Sequence, residues 1–146
     1  MKSLLLALLF TINLGSSNWL TDFEAAKKIA QEKHQLILLN FSGSDWCGPC
    51  IRLHKEIFDS EAFQALAEKQ LVLLNADFPR LKKNQLPKEQ QAQNDKLADA
   101  YNKTGSFPST VLLDETGKVL KVWEGFPKGG AAAFIDDINA AINANR

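Results

Sequence analysis

Two cysteines, Cys47 and Cys50, stand three positions apart in the run Trp46-Cys47-Gly48-Pro49-Cys50, and the 146-residue chain has no others. Sulfur at that spacing can staple a chain, hold a soft metal, or exchange electrons with another disulfide. A staple across two intervening residues removes little entropy from the unfolded state, so a structural role explains the pair badly. Exchange requires one sulfur to be unusually acidic. Cys47 follows the small-residue turn Ser42-Gly43-Ser44 and opens a helical segment expected to run from about Cys47 to Phe58. At such a helix N-terminus, unpaired backbone N–H groups and the helix dipole favour thiolate over thiol. Cys47 is therefore the expected nucleophile. Cys50, one turn deeper, is placed to attack a mixed disulfide formed at Cys47, replacing a bimolecular step by an intramolecular one. Gly48 offers an approaching chain no Cβ to strike, and Pro49 falls in the first turn, where a missing N–H costs nothing.

The elements that must hold this run are legible from periodicity. Trp19 to Lys33 reads as an amphipathic helix, with Thr21 and Glu24 resembling a capping box. Leu36 to Phe41 and Leu71 to Ala76 are short, nearly continuous apolar runs, as in strands covered on both faces. Glu61 to Gln70 restarts a helix after Asp59-Ser60, and a polar stretch from Pro79 to Gln93 leads into a helix of about Lys88 to Tyr101. Thr110 to Asp114 and Lys118 to Trp123 form a hairpin about Glu115-Thr116-Gly117. Gly129-Gly130 opens a last helix with Phe134, Ile138, Ala141 and Ile142 on one stripe. Alternation first and a hairpin afterwards imply an α/β fold: a central mixed sheet with helices on both faces.

Lys plus Arg and Asp plus Glu number 17 each, so the net charge is zero and no field draws the chain to nucleic acid. Residues 1–17 carry a positive start at Lys2, an apolar run from Leu4 to Phe10 and the small residues Gly15-Ser16-Ser17, the layout of a signal peptide. The apolar run is shorter than the roughly 20 residues of a bilayer span. The mature domain is expected to be residues 18–146, exported to a periplasmic or secreted location.

Complete at all five positions, Trp46-Cys47-Gly48-Pro49-Cys50 resembles the active-site signature of the thioredoxins, and Phe107-Pro108 before a strand resembles that family's cis-proline site. The resemblance runs from Trp19 to the end. Within the family, the segment Asn40 to Trp46 and the polar stretch after Asp77 are similar to exported bacterial members. It implies a thioredoxin-like fold and a thiol–disulfide oxidoreductase. Trp46, Gly48, Pro49, Phe107 and Pro108 would make the substrate surface, Phe107 pairing its backbone with an extended segment of the client. The Gly-Pro filler is similar to reducing members, which implies a monomeric reductase of protein disulfides. A membrane-bound thiol donor would recharge it, and no cofactor is needed beyond the dithiol.

Departures from the family pattern are equally specific. The buried acid before the motif corresponds to Asn40, its basic companion to Leu73, and the proline five residues after Cys50 to Lys55. No base for Cys50 is thereby named. Two other readings stay open. Cys47, Cys50 and His54 share one helix face and could hold a soft metal, although a closed zinc site needs a fourth ligand and His54 otherwise reads as a solvated helix residue. A non-catalytic module that binds partners through the same fold is the other.

Overall fold

The computed structural model describes residues 18–146; the expected signal peptide, residues 1–17, lies outside the described residues. In chain order the elements are α1 (Phe23–Lys33), β1 (Leu36–Ser42), α2 (Gly48–Leu53), a π-helical turn (His54–Phe58), α3 (Glu61–Gln70), β2 (Leu71–Asp77), a 3₁₀ turn (Lys82–Asn84), α4 (Lys88–Tyr101), β3 (Ser109–Leu113), β4 (Val119–Glu124) and α5 (Gly130–Ala144). The strands lie in the order β2-β1-β3-β4. β1 and β2 are parallel, whereas β3 pairs antiparallel with both β1 and β4. The sheet is thus mixed, as the sequence order required.

Helices cover both faces because β1 is apolar on both. All seven of its residues are buried. On one face Leu36, Leu38, Leu73 and Leu112 pack against Leu53, Ile57 and Phe58, against Phe63 of α3 and against Phe134 and Ile138 of α5. On the other, Ile37, Leu39, Phe41, Val72 and Leu74 pack against Ala26 and Ala30 of α1 and Leu97 of α4. Alternation along the strand sends successive side chains to opposite layers, so each layer receives every second residue of the two apolar runs.

Two local expectations are corrected. α1 begins at Phe23, capped by Asp22, whose carboxylate accepts the Ala25 N–H at 2.7 Å; Thr21 is not the cap. Trp19 and Leu20 lie outside the helix because the backbone of Leu20 is paired with β2, donating to Leu73 O at 2.8 Å and accepting from Asn75 N at 2.9 Å. Past Cys50 the helix widens instead of continuing: the Asp59 N–H reaches back five residues to His54 O at 2.8 Å. Lys55 takes the place of a kinking proline, and the irregularity is supplied by the π turn.

The polar stretch after β2 is tied down at one point. The Asp45 carboxylate accepts the N–H groups of Arg80 (2.9 Å) and Leu81 (3.0 Å) and the Asn84 side-chain amide (2.9 Å). These donors, led by the Arg80 N–H, hold the Asp45 carboxyl below the ordinary carboxylate range. A carboxyl with a lowered folded pKa supports the loop above its unfolded value and ceases to do so as pH falls through the folded one. Hydrogen exchange should therefore show the Arg80 and Leu81 amides losing protection, after correction for intrinsic rates, on acidification through the lower carboxylate range. The variant Asp45→Ala should lose the same protection, at least about tenfold, at neutral pH. Unchanged exchange in the variant would show that the loop is held elsewhere.

Candidate active site

Cys47 is the N-cap of α2, extended at φ −94° and ψ 99°. Its Sγ accepts the Cys50 N–H at 3.3 Å, the bond an N-cap side chain makes, so the sulfur occupies the position of the helix's orphan donors. Cys47 and Cys50 are joined as a disulfide, with Cα atoms 5.2 Å apart. Cys47 retains 5% exposure and Cys50 none, so an outside sulfur can reach only the first. Gly48 and Pro49 form an exposed lip beside it, and a Cβ built on Gly48 would meet nothing within 4 Å.

Trp46 is fixed from three sides. Its indole N–H donates to Phe78 O at 2.7 Å, its ring centroid lies 5.4 Å from that of Phe107, and the Arg80 guanidinium sits 3.6 Å from the ring centroid. An attraction between cation and ring face joins the polar loop to the cysteine turn. Gly43 is required underneath: a Cβ there would fall 2.3 Å from Trp46 Cε2. The Phe107–Pro108 peptide bond is cis, Phe107 is half-buried and Pro108 buried.

One sequence expectation about the floor of the site is revised, and the register adds a residue to it. His54 is not a solvated helix residue: its ring is packed 5.3 Å from Trp19 and 5.2 Å from Phe58, with Nε2 3.4 Å from the Asn40 amide nitrogen. The residue beside Asn40 on β2 is Asn75, with Leu73 one pleat away in the apolar core. Among the described residues no group of three His, Cys, Asp or Glu side chains is arranged to hold a metal ion. His54 closes α2 with its backbone N–H on Cys50 O, so α-helical spacing puts it on the face of Cys50.

A family model for the thioredoxin-like domain matches residues 23–137, from the first helix into the last. The chain belongs to the thioredoxin-like family. Among relatives within that family, it is 38% identical over 131 residues to the disulfide bond reductase DsbH of Chlamydia pneumoniae, covering 90% of this chain and 76% of that one. It is 30% identical over 95 residues to the thioredoxin-related protein DsbJ of the same organism, covering 65% of this chain and only 26% of DsbJ. A solved structure of a DsbH oxidoreductase superposes with a TM-score of 0.80 at 32% identity, covering 97% of this chain and 95% of the other. The thioredoxin-like sheet order and the Cys47 cap thus sit in one shared framework. Asp45, Arg80 and Asn75 are the site residues that motif reading missed; the polar Asn ending each apolar strand run was the available signal.

Proposed function

We propose that this protein is a thiol–disulfide oxidoreductase that reduces disulfides of exported proteins, with Cys47 as nucleophile and Cys50 as resolving sulfur. The observation that carries the reading is the asymmetry of the pair: one cysteine caps a helix N-terminus and keeps 5% exposure, the other lies one turn on with none. In the reduced enzyme the Cys47 thiolate attacks a client disulfide, forming a mixed disulfide and expelling one client thiolate. Cys50 then loses its proton and attacks Cys47 Sγ; the Cys47–Cys50 bond forms and the second client thiolate departs. Two electrons have passed to the client.

Trp46, Gly48, Pro49, Phe107 and Pro108 form the contact surface: Gly48 and Pro49 are exposed beside Cys47, the half-buried Trp46 and Phe107 rings lie 5.4 Å apart, and Phe107 is joined to the buried Pro108 by the cis bond. Support for the reducing direction comes from the Gly48-Pro49 filler and from the name of the relative DsbH. Turnover in that direction needs a thiol donor, which for an exported enzyme is membrane-bound; among the described residues no helix is long and apolar enough to cross a membrane. Residues 1–17 serve as the signal peptide, residues 18–146 act as a monomer, and the location is periplasmic.

The variant Cys50→Ser tests this. It should accumulate adducts of exported cysteine-containing proteins that a thiol reductant releases, and a Cys47→Ser/Cys50→Ser double variant should accumulate none. Equal adducts from both would remove Cys47 from the reaction. The direction is tested by the reduction potential, expected near the roughly −270 mV of reducing pairs; a value near about −120 mV would make the protein an oxidant.

A further inference from the structure

Below Cys50, on the sheet face that carries α2, three strands each place one polar side chain in a layer that is otherwise leucine. Asn40 of β1 pairs in register with Asn75 of β2 and with Thr110 of β3. One pleat away the same face carries Leu38, Leu73 and Leu112. Asn40 is fully buried, Thr110 is buried and Asn75 half-buried. A buried amide must spend its donors and acceptors on partners, and here each can be followed. The Thr110 hydroxyl donates to Asn40 Oδ1 at 3.3 Å, and the Asn40 amide donates to Asn75 Oδ1 at 3.2 Å. That leaves the second N–H of the same amide, and His54 Nε2 lies 3.4 Å from its nitrogen.

The direction of these bonds fixes the imidazole. With Asn40 Oδ1 occupied by Thr110, its nitrogen is the donor toward His54, so Nε2 accepts and the neutral ring carries its proton on Nδ1. Trp19 and Phe58 wall the ring. Burial pushes the His54 pKa below the ordinary histidine value, opposed by Asp59 at the end of the π turn, by the Asn75 side chain and by Asp77 at the end of β2. Asp77 is itself bonded by the Ser44 backbone N–H and hydroxyl. At their positions in this row β1 and β3 offer Asn40 and Thr110, neither of which titrates. His54 stands four residues past Cys50, and its backbone N–H donates to Cys50 O, so the two side chains are neighbours on one helix face. Residues so spaced have Cβ atoms about 5–6 Å apart, a span that one water can bridge.

We propose that His54, held as a neutral base by Asn40, accepts the proton of the Cys50 thiol in the resolving step. This rests on Cys50 being the resolving sulfur. The Cys50 S–H bond breaks and its proton passes to Nε2, the one ring nitrogen with a lone pair, which gives up its hydrogen bond from the Asn40 amide as it takes the proton. The sulfur forms its bond to Cys47 Sγ, and the bond between Cys47 and the client sulfur breaks, its electron pair leaving with the client thiolate. The imidazolium then gives its proton to solvent. A carboxylate at position 40 would end this step neutral; the imidazole ends it positive, beside a sulfur that has been negative. Asn75 Oδ1 is placed to accept from the ring once it is charged, so one amide pair serves both states. His54 is thus a positioning and proton-accepting residue that acts through Cys50.

The experiment uses 5,5′-dithiobis(2-nitrobenzoate) with the reduced enzyme under single-turnover conditions. Attack by Cys47 releases the first nitrothiobenzoate, and attack by Cys50 on the resulting mixed disulfide releases the second. The readout is the ratio of the second rate to the first from pH 5 to pH 9. In His54→Gln the ratio should fall at least about tenfold at neutral pH, and the inflection of the second release that belongs to the imidazole should vanish. Adding Asn40→Asp to that variant supplies a carboxylate and should recover part of the ratio. A damaged fold would lower both releases together, and the recovery arm would then show no gain. An unchanged ratio and pH profile in His54→Gln overturns the proposal. If Cys50→Ser still releases the second group at the wild-type rate, the resolving assignment fails first.

Discussion

Replacing Cys47 by serine should lower kcat/KM for reduction of insulin disulfides by at least about 10³-fold, about 4 kcal/mol in the transition state. Serine keeps the N-cap geometry, being among the favoured N-cap residues, so the helix loses neither its start nor its hydrogen bond from the Cys50 N–H. What it loses is the atom that can be a thiolate at neutral pH and join a disulfide. Cys50 cannot substitute, because it has no exposed surface through which a protein disulfide could reach it. Stability should fall only modestly. A crosslink with a sequence separation of 3 constrains the unfolded chain by about 2 kcal/mol in the loop-entropy model. Far-UV circular dichroism should therefore match the oxidised parent while turnover is gone. Retained insulin reduction at more than a few per cent of the parent rate would remove Cys47 from the mechanism.

Such a prediction was available from sequence because the motif and the elements around it report on local chemistry. Leu36 to Phe41 and Leu71 to Ala76 read as strands from apolar composition alone; the strands run Leu36–Ser42 and Leu71–Asp77, and the sheet buries the first on both faces. Glu61–Gln70 and Lys88–Tyr101 carried helical periodicity with clear ends, and both stand as read. Phe107-Pro108 was placed by its resemblance to the family's cis-proline site, and its bond is cis.

The floor of the site was less legible, for two physical reasons. His54, followed by Lys55 and Glu56, reads as solvated from its polar neighbours, although 3.6 residues per turn already puts it on the face of Cys50. What covers the ring is Trp19, from the segment beside β2, and Phe58 at the end of the π turn, contacts that no local pattern reports. The second reason is register. Naming Leu73 as the replacement of the family's basic residue leaves open which residue pairs with Asn40, and the register supplies Asn75. The runs Leu36-Ile37-Leu38-Leu39-Asn40 and Leu71-Val72-Leu73-Leu74-Asn75 have the same pattern, and the parallel pairing superposes them residue by residue. Taken together, the two repeats would have placed Asn40 against Asn75, since burying one amide without the other would leave polar groups unpaired.

Phe58 is where the core and the site share a side chain, and truncating it should be the most damaging single change to stability. Its ring is fully buried at the end of the π turn, with centroids 5.0 Å from Trp19, 5.2 Å from His54 and 4.8 Å from Phe63. It thus joins the segment paired with β2, the cysteine helix and α3. Phe58→Ala should cost about 3–5 kcal/mol, the transfer free energy of the ring plus the cavity it leaves. A domain of this size holds about 5–15 kcal/mol in all, so Tm should fall by roughly 10–20 °C. Ile51→Ala, on the exposed side of the same helix, should change stability by less than about 0.5 kcal/mol. Equal losses in the two variants would show that the helix is held by its covalent link and caps instead of by this cluster. A large loss in Phe58→Ala alone would tie the stability of the fold to the wall of the His54 ring, because the ring that fills the core also packs against the imidazole.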